Sequence, residues 1–494
     1  MEEYDLVVLG GGSGTQVATA AAAEGWTAAV VEPGPLGGAC ITRGCVPSKA
    51  LIHRGDLLET IRHAERVGID AEIRDVDFTA ITSRTHDTVY ERAERQRQRL
   101  EDAENVTLYE GRGRFLDDRE LEVLESADDG DGDGTVLTLL EADHVVIAVG
   151  SRPATPPIDG LETTEYLTSD DALYLEERPD DLVIVGGGYI GAELAHFFEA
   201  VGTDVSLVGR SDRLVPAEDT DVSDAVTHAL SERLEVYTGH EATEVTRRGD
   251  RIAVTAAADD EAVDLVADDL LVAVGRRPNT DDLGLENTSI ETDERGHLET
   301  DEFLRTDAED VWGLGDVLGV QPFKHAADYE ARFVATNVLE ESQQMVRYDA
   351  MPHAVFTSPQ VASVGKTEDD LEQSNRAYES TTVPYDVAPL GLILETREAF
   401  VKVLASPAGV ILGCHVVGPE ASTLVHEVVL AMQRGSGTVE DVAETVHVHP
   451  ALNEVLLAAF EDLSSSPYST APDWRDVSMR AASENGDDPD GHSR

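Results

Sequence analysis

The sequence predicts an α/β protein with two glycine-turn units followed by an α+β domain. Three observations carry this reading. An apolar strand runs into a glycine-rich turn at residues 4–14. The same arrangement returns at 182–191, and from residue 350 the pattern changes to alternating strands and then helices. A chain of 494 residues is too long for one core and should divide into about three domains of ~150 residues each.

In the first unit, YDLVVL (4–9) ends in Gly10-Gly11-Gly12-Ser13-Gly14. A small-residue helix (VATAAAAEG) follows, then a second strand, TAAVVE, ending at Glu32. Strand, glycine turn, helix, strand and an acid about 20 residues on form the dinucleotide-binding fingerprint of a Rossmann-like domain. Its glycines, Gly10, Gly12 and Gly14, let the backbone approach a pyrophosphate, and Glu32 can bind ribose hydroxyls. Thr15 stands where the third glycine is expected. The second unit, LVIVGGGYIG, is complete with Gly186, Gly188 and Gly191, followed by a helix (AELAHFFEAVG) and a strand (DVSLVGR). Two such units mean two dinucleotides, or one dinucleotide and a decoy loop. VVIAVGSRP at 145–153, with Gly150, and LLVAVGRRPNT at 270–280, with Gly275, read as returns from a nucleotide domain. Residues 127–135 read as a solvated hairpin tip. VWGLGDV at 311–317 puts Asp316 after a strand and a glycine. HAVFTSPQVASVG, AFVKVLAS and GVILGCHVVG supply the strands of the last domain, and the polar stretch after about 465 is expected to be disordered. The expected boundaries are 1–152 with 278–349 for the first nucleotide domain, 153–277 for the second, 350–464 for the α+β domain and 465–494 for the tail.

Composition limits the partners. With 37 Lys and Arg against 98 Asp and Glu, the net charge is −61, which disfavours a nucleic-acid partner. Such self-repulsion is tolerable where salt is high, because the Debye length falls to about 3 Å near 1 M. The acidity reads as adaptation to a salt-rich cytoplasm of the haloarchaeal kind. Strands rich in apolar residues argue against a disordered acidic chain. No apolar run approaches the roughly 20 residues of a membrane span, and the N-terminus lacks the basic region of a signal peptide, so a cytoplasmic location is expected. Lysine occurs only at 49, 324, 366 and 402, and a chain so poor in lysine has placed one beside its cysteine pair.

Two of the three cysteines, Cys40 and Cys45, lie in GGACITRGCVPSK (37–49). Four zinc ligands are not available nearby, so no metal site is expected. A stabilising disulfide suits neither a reducing compartment nor so short a loop. A redox dithiol, cycling between disulfide and dithiol beside whatever the first unit binds, accounts for the pair. Cys414, in the apolar strand ILGCHVV, reads as a small buried hydrophobe.

The segment GGACITRGCVPSK resembles the active-site segment of the FAD-dependent pyridine nucleotide–disulfide oxidoreductases, and matching segments follow in family order over about residues 4–462. Gly10, Gly12, Gly14 and Glu32 match the first FAD motif, and VWGLGDV with Asp316 the second. GGGYIGAE (186–193) matches the nicotinamide motif. HVHPALNE matches the family's His-Pro…Glu, giving His449 and Glu454. The resemblance implies FAD, a homodimer, and electron flow from NAD(P)H through flavin to the dithiol. Cys45 would be the charge-transfer thiol and Cys40 the interchange thiol. His449, oriented by Glu454, would act as base from the other subunit, with His447 a structural neighbour. Lys49 would pair with Glu193 beside the flavin. Exchange needs a thiolate and then a proton for the leaving thiol, which suits a histidine.

Substrate and nicotinamide follow from finer detail. No vicinal cysteine pair stands near the C-terminus, which disfavours mercuric reduction; soluble transhydrogenases lack the complete pair. VPSKAL and Gly191 resemble dihydrolipoamide dehydrogenase. Thr15, ETIRHAERVGIDA, FKHAADYEARFV and HPALNEV resemble mycothione reductase and kindred reductases of small disulfides, whose haloarchaeal substrate is bis-γ-glutamylcystine. In the second unit Gly209 replaces the ribose-binding acid, and Arg210 and Arg213 follow, which favours the 2′-phosphate of NADPH over NADH. Arg43 and the arginines of ERAERQRQRL (91–100) suit a carboxylate-rich disulfide, although a solvated helix accounts for the latter as well, and Tyr90 is a candidate for the disulfide pocket. The expectation is a reductase of a small disulfide. Dihydrolipoamide dehydrogenase is the alternative, and a flavin-bearing binding subunit without turnover is the reading from a different class.

Overall fold

The computed structural model describes residues 1–125, 134–258, 261–340, 342–396 and 398–465. The expected hairpin tip lies largely, and the expected tail almost wholly, outside the described residues. Two compact units emerge: Met1–Ser211 with Leu234–Arg347, and Asp212–Arg233 with the chain from Tyr348 onward.

The first unit holds both glycine-turn sheets. Val106–Glu110, Ala28–Glu32, Glu2–Leu9 and Val136–Ile147 lie side by side in that order, and Val311–Gly313 pairs with the last; all four pairings are parallel. Arg112–Asp117 and Glu120–Leu124 extend the sheet antiparallel. Leu6, Val7, Val8 and Leu9 are all 0–1% exposed, as a strand covered on both faces requires; this is why the run is continuously apolar rather than alternating. The second sheet, Glu235–Thr238, Asp204–Gly209, Asp181–Val185 and Asp269–Val272, is wholly parallel. An antiparallel meander, Glu241–Arg248, Arg251–Ala258 and Glu261–Ala267, follows the first of these strands in the chain. The two segments read as returns pair with each other, Ser151–Pro153 against Arg276–Pro278.

Two glycines illustrate why the turns need no side chain. A Cβ on Gly14 would stand 2.7 Å from Val8 and 2.8 Å from Ala148, and one on Gly191 only 1.9 Å from the Gly186 carbonyl. Thr15 is accommodated because its hydroxyl donates back to the Gly12 carbonyl at 2.8 Å.

In the second unit five antiparallel strands run in the order Pro352–Val355, Val361–Gly365, Ile411–Val417, Phe400–Ala405, Glu379–Pro384. Helices Ala421–Arg434 and Glu454–Leu463 pack on them over a core that includes Cys414, Val416, Val428 and Phe460. The strand Glu379–Pro384 escaped the sequence reading because ESTTVP is polar enough to pass for a loop. Helix Thr220–Ser231, from between two strands of the second parallel sheet, groups with this unit. No helix among the described residues is long and apolar enough to cross a membrane.

Candidate active site

Cys45 opens helix Cys45–Arg62, and Cys40 sits on the short helix Gly38–Thr42 just before it. A helix N-terminus favours a thiolate. Lys49 follows Cys45 by four residues, one turn along the same face. Its Nζ lies 2.5 Å from Glu193 Oε2, and Glu193, on helix Tyr189–Ala200, is 3% exposed. The same two helices meet again where Asp56 Oδ1 lies 2.8 Å from Nε2 of the fully buried His196. This second pin had no sequence signal beyond the residue types.

The two thiols are electrostatically unlike. A hydrogen bond with Cys40 draws Cys45 down from 9.0 to about 7, and Lys49 adds to the effect against burial and the charge of Glu193. Cys40 is driven upward by the same bond and by burial. Of the two, Cys45 is therefore the more acidic thiol and Cys40 the one that keeps its proton.

Both cysteines line a cavity of about 740 Å³ together with Gly10, Gly12, Glu32, Lys49, Gly150, Glu193 and Asp316. Glu32, at the end of its strand, accepts from the Gly11 amide at 2.5 Å and the Gly34 amide at 2.9 Å. Asp316 accepts from Ser151 Oγ at 2.6 Å, and Arg276 Nε donates to the same hydroxyl at 2.9 Å. Gly150 receives the Asn279 amide at 3.1 Å and Gly275 that of Ala154 at 3.0 Å. The cavity has the size of a cofactor site, with a glycine turn for phosphates, two carboxylates for hydroxyls and a dithiol on its wall. Gly12 and Gly38 approach so closely that a Cβ on Gly38 would stand 3.0 Å from the Gly12 Cα, leaving bare backbone for a pyrophosphate. These residues fit FAD.

In the second turn, Gly186 leaves the strand at φ +133° and Gly188 caps helix Tyr189–Ala200. The arginines after Gly209 differ in state. Arg210 is exposed and has no ion pair among the described residues, whereas Arg213 is bound to Asp224. Arg43 lies 4.0 Å from Asp170, which Arg276 approaches to 3.8 Å. Tyr90 is not on the cavity wall. It stacks on His86 at 4.3 Å and neighbours Tyr174, whose hydroxyl donates to the Thr42 carbonyl inside the redox loop at 2.6 Å.

In the second unit, His449 Nδ1 lies 2.9 Å from Glu454 Oε1, and the other carboxylate oxygen accepts the Ala451 amide at 3.0 Å. The His449 side chain is 68% exposed, so its Nε2 is available to a partner. His447 is committed on both nitrogens, to the Thr445 carbonyl at 2.8 Å and to Glu427 at 3.1 Å, and the carboxylate raises its pKa. The flanking Val446 and Val448 are 95% and 72% exposed, as at an interaction face. Cys414 is wholly buried, and burial pushes its thiol up.

Known proteins resemble the chain along nearly its whole length. The pyridine nucleotide-disulphide oxidoreductase family profile matches residues 4–343, and that family's dimerisation domain matches 351–460. A dihydrolipoyl dehydrogenase of Halobacterium salinarum is 37% identical over 461 residues, spanning 92% of this chain and 95% of that protein. A mercuric reductase of Streptomyces lividans is 35% identical, over 94% and 96%. Among solved structures, the HOCl-induced flavoprotein disulfide reductase RclA from Escherichia coli superposes with a TM-score of 0.81 at 26% identity, over 92% and 99%. This chain, a flavoprotein acting on sulfur groups, belongs to the pyridine nucleotide-disulphide oxidoreductases.

Proposed function

We propose that the protein is a cytoplasmic NADPH-dependent reductase of a small, carboxylate-bearing disulfide, with bis-γ-glutamylcystine as its substrate. The observation that carries the chemistry is the unequal thiol pair on the wall of the cofactor cavity. Bound FAD supplies the electron pair from the nicotinamide that opens the Cys40–Cys45 disulfide. Cys40 then attacks one substrate sulfur, its proton passing to His449, and the first substrate thiol leaves with a proton. The Cys45 thiolate attacks Cys40 in the mixed disulfide, restoring the Cys40–Cys45 bond and expelling the second thiolate, which takes the second proton from solvent. Two electrons and two protons enter, and two thiols leave. His449 is contributed across a homodimer to the other subunit's dithiol, and Glu454 fixes its ring so that Nε2 faces the exchange.

Unpaired Arg210 supports NADPH. In a chain carrying 98 acids, an exposed arginine with no acid partner among the described residues, next to Gly209 where a ribose-binding acid would stand, suits a 2′-phosphate. Arg213 is assigned no share in this, since Asp224 holds it. Arg43 suits a carboxylate on the substrate. The dihydrolipoyl dehydrogenase relatives favour a second reading, oxidation of dihydrolipoamide with NAD⁺. Turnover in molar KCl, pairing NADPH or NADH with bis-γ-glutamylcystine or lipoamide, separates the two. The proposal expects fast NADPH-dependent reduction of bis-γ-glutamylcystine with lipoamide poor, and Arg210→Ala raising the KM for NADPH about tenfold with NADH unaffected. Fast NAD⁺-dependent oxidation of dihydrolipoamide would replace it with the second reading.

A further inference from the structure

Two of the four lysines line the cavity, and only Lys49 has a part in the account above. The other, Lys324, is the first residue of helix Lys324–Leu339 and reaches back to the first glycine turn. Its Nζ donates to Ser13 Oγ at 3.1 Å and to Asp328 Oδ1. Asp328 is itself fixed by Ser13 Oγ, at 2.9 Å, and by the Gln16 amide, both at the start of helix Thr15–Ala23. An ammonium has three donors. Two are used in this clasp, and no third partner stands among the described residues, so one N–H remains for the cavity that the side chain lines.

The cavity needs a cation at this end. A pyrophosphate brings two negative charges into a protein of net charge −61, close to Glu32 and Asp316. Of the other cations on the wall, Lys49 is engaged with Glu193, Arg43 and Arg276 with Asp170, and Arg152 and Arg277 with Asp281, while Arg112, on strand Arg112–Asp117, has neither an ion pair nor a bond to the glycine turn among the described residues. Lys324 is the one bonded to the glycine turn. A lysine also fits better than an arginine, since a compact point charge can sit between a hydroxyl and a carboxylate where a planar fork cannot. We propose that Lys324 is a counter-ion of the FAD pyrophosphate, held over the first glycine turn by Ser13 and Asp328.

The test is FAD retention by the holoenzyme in molar KCl, read as the rise of free-flavin fluorescence after dilution into FAD-free buffer. Circular dichroism at saturating FAD checks the fold. Lys324→Met should release FAD about tenfold faster, the value of one charge-assisted hydrogen bond to phosphate. Lys324→Arg, which keeps the charge, should stay close to the parent protein. Asp328→Asn separates a counter-ion from a mere clasp between two helices: it removes the ion pair of the clasp but keeps the cation, so release should change less than about threefold. Release from Lys324→Met within about twofold of the parent overturns the proposal. So does release from Asp328→Asn as fast as from Lys324→Met. A Lys324→Met protein that keeps its FAD but shifts the titration of Cys45 would place the lysine with the dithiol and also overturn it.

Discussion

Replacing Lys49 with methionine removes the ammonium beside Cys45 and leaves Glu193 in place, its Oε2 having lost a partner at 2.5 Å. The Cys45 thiol is held at about 7 first by its bond with Cys40 and then by Lys49, against burial and Glu193. Loss of an adjacent opposite charge, with a like charge retained, should raise it by about 1–2 units. At about pH 7.5 the thiolate fraction would fall from roughly three quarters to between about 25% and 3%, each unit being about 1.4 kcal/mol. The sign follows from the lowered pKa: the thiolate is present above that value and lost as pH falls through it. The readout is ultraviolet thiolate absorbance of the reduced protein against pH, with the alkylation rate by iodoacetamide as a second measure. Lys49→Met should also lower stability by about 2 kcal/mol by taking the lysine from a buried carboxylate. Adding Glu193→Gln should restore most of that stability without restoring the acidic thiol. A midpoint displaced by less than about 0.3 unit in Lys49→Met would refute the assignment of Lys49 as the charge partner of Cys45.

Three further outcomes follow from the site and its support. Cys40→Ser should abolish disulfide reduction yet leave flavin bleaching by NADPH intact in anaerobic spectra; retained disulfide turnover would sink the assigned roles. His449→Ala should slow exchange about 10²–10⁴-fold, and near-normal turnover removes His449 from the mechanism. Lys402 is 2% exposed and donates to Asp219, Asp221 and Glu368 at 2.7 Å each. Lys402→Met should therefore cost about 3–5 kcal/mol in urea unfolding, and a loss below about 1 kcal/mol would refute the cluster's importance. Burial opposes it, but the bond from Lys402 holds Asp219 below its ordinary 3.8. That contribution is present above pH 3.8 and disappears as pH falls through the lowered value.

Local patterns were legible because their physics is local. A glycine turn between strand and helix is written within a dozen residues, and Cys40, Cys45 and Lys49 share one turn and helix start. Pairings across the fold were not. Lys49 and Glu193 stand 144 residues apart and were linked only through family resemblance; Ser13 and Asp328, 315 apart, went unnoticed. With so many acids, proximity in sequence cannot say which arginine is neutralised. Arg210 and Arg213 looked equivalent, and only the fold gives Asp224 to one and, among the described residues, no ion pair to the other. Tyr90 was read as a wall of the disulfide pocket but does not line the cavity; it meets the redox loop through Tyr174, a contact no spacing encodes.

The buried attachment of helix Thr220–Ser231 has a consequence for how the molecule is made. Asp219 and Lys402 are separated by 183 residues, so at roughly 5–20 residues per second a nascent chain waits about 10–40 s for the lysine after the aspartate has emerged. Through that interval Val222, Val226 and Leu230, which end at 0% exposure, have no strand Ile411–Val417 to cover them. A polypeptide cut short near residue 350 would carry this naked face permanently. Synthesis of this enzyme therefore has a window in which an apolar helix face waits for its cover, the condition under which nascent chains aggregate.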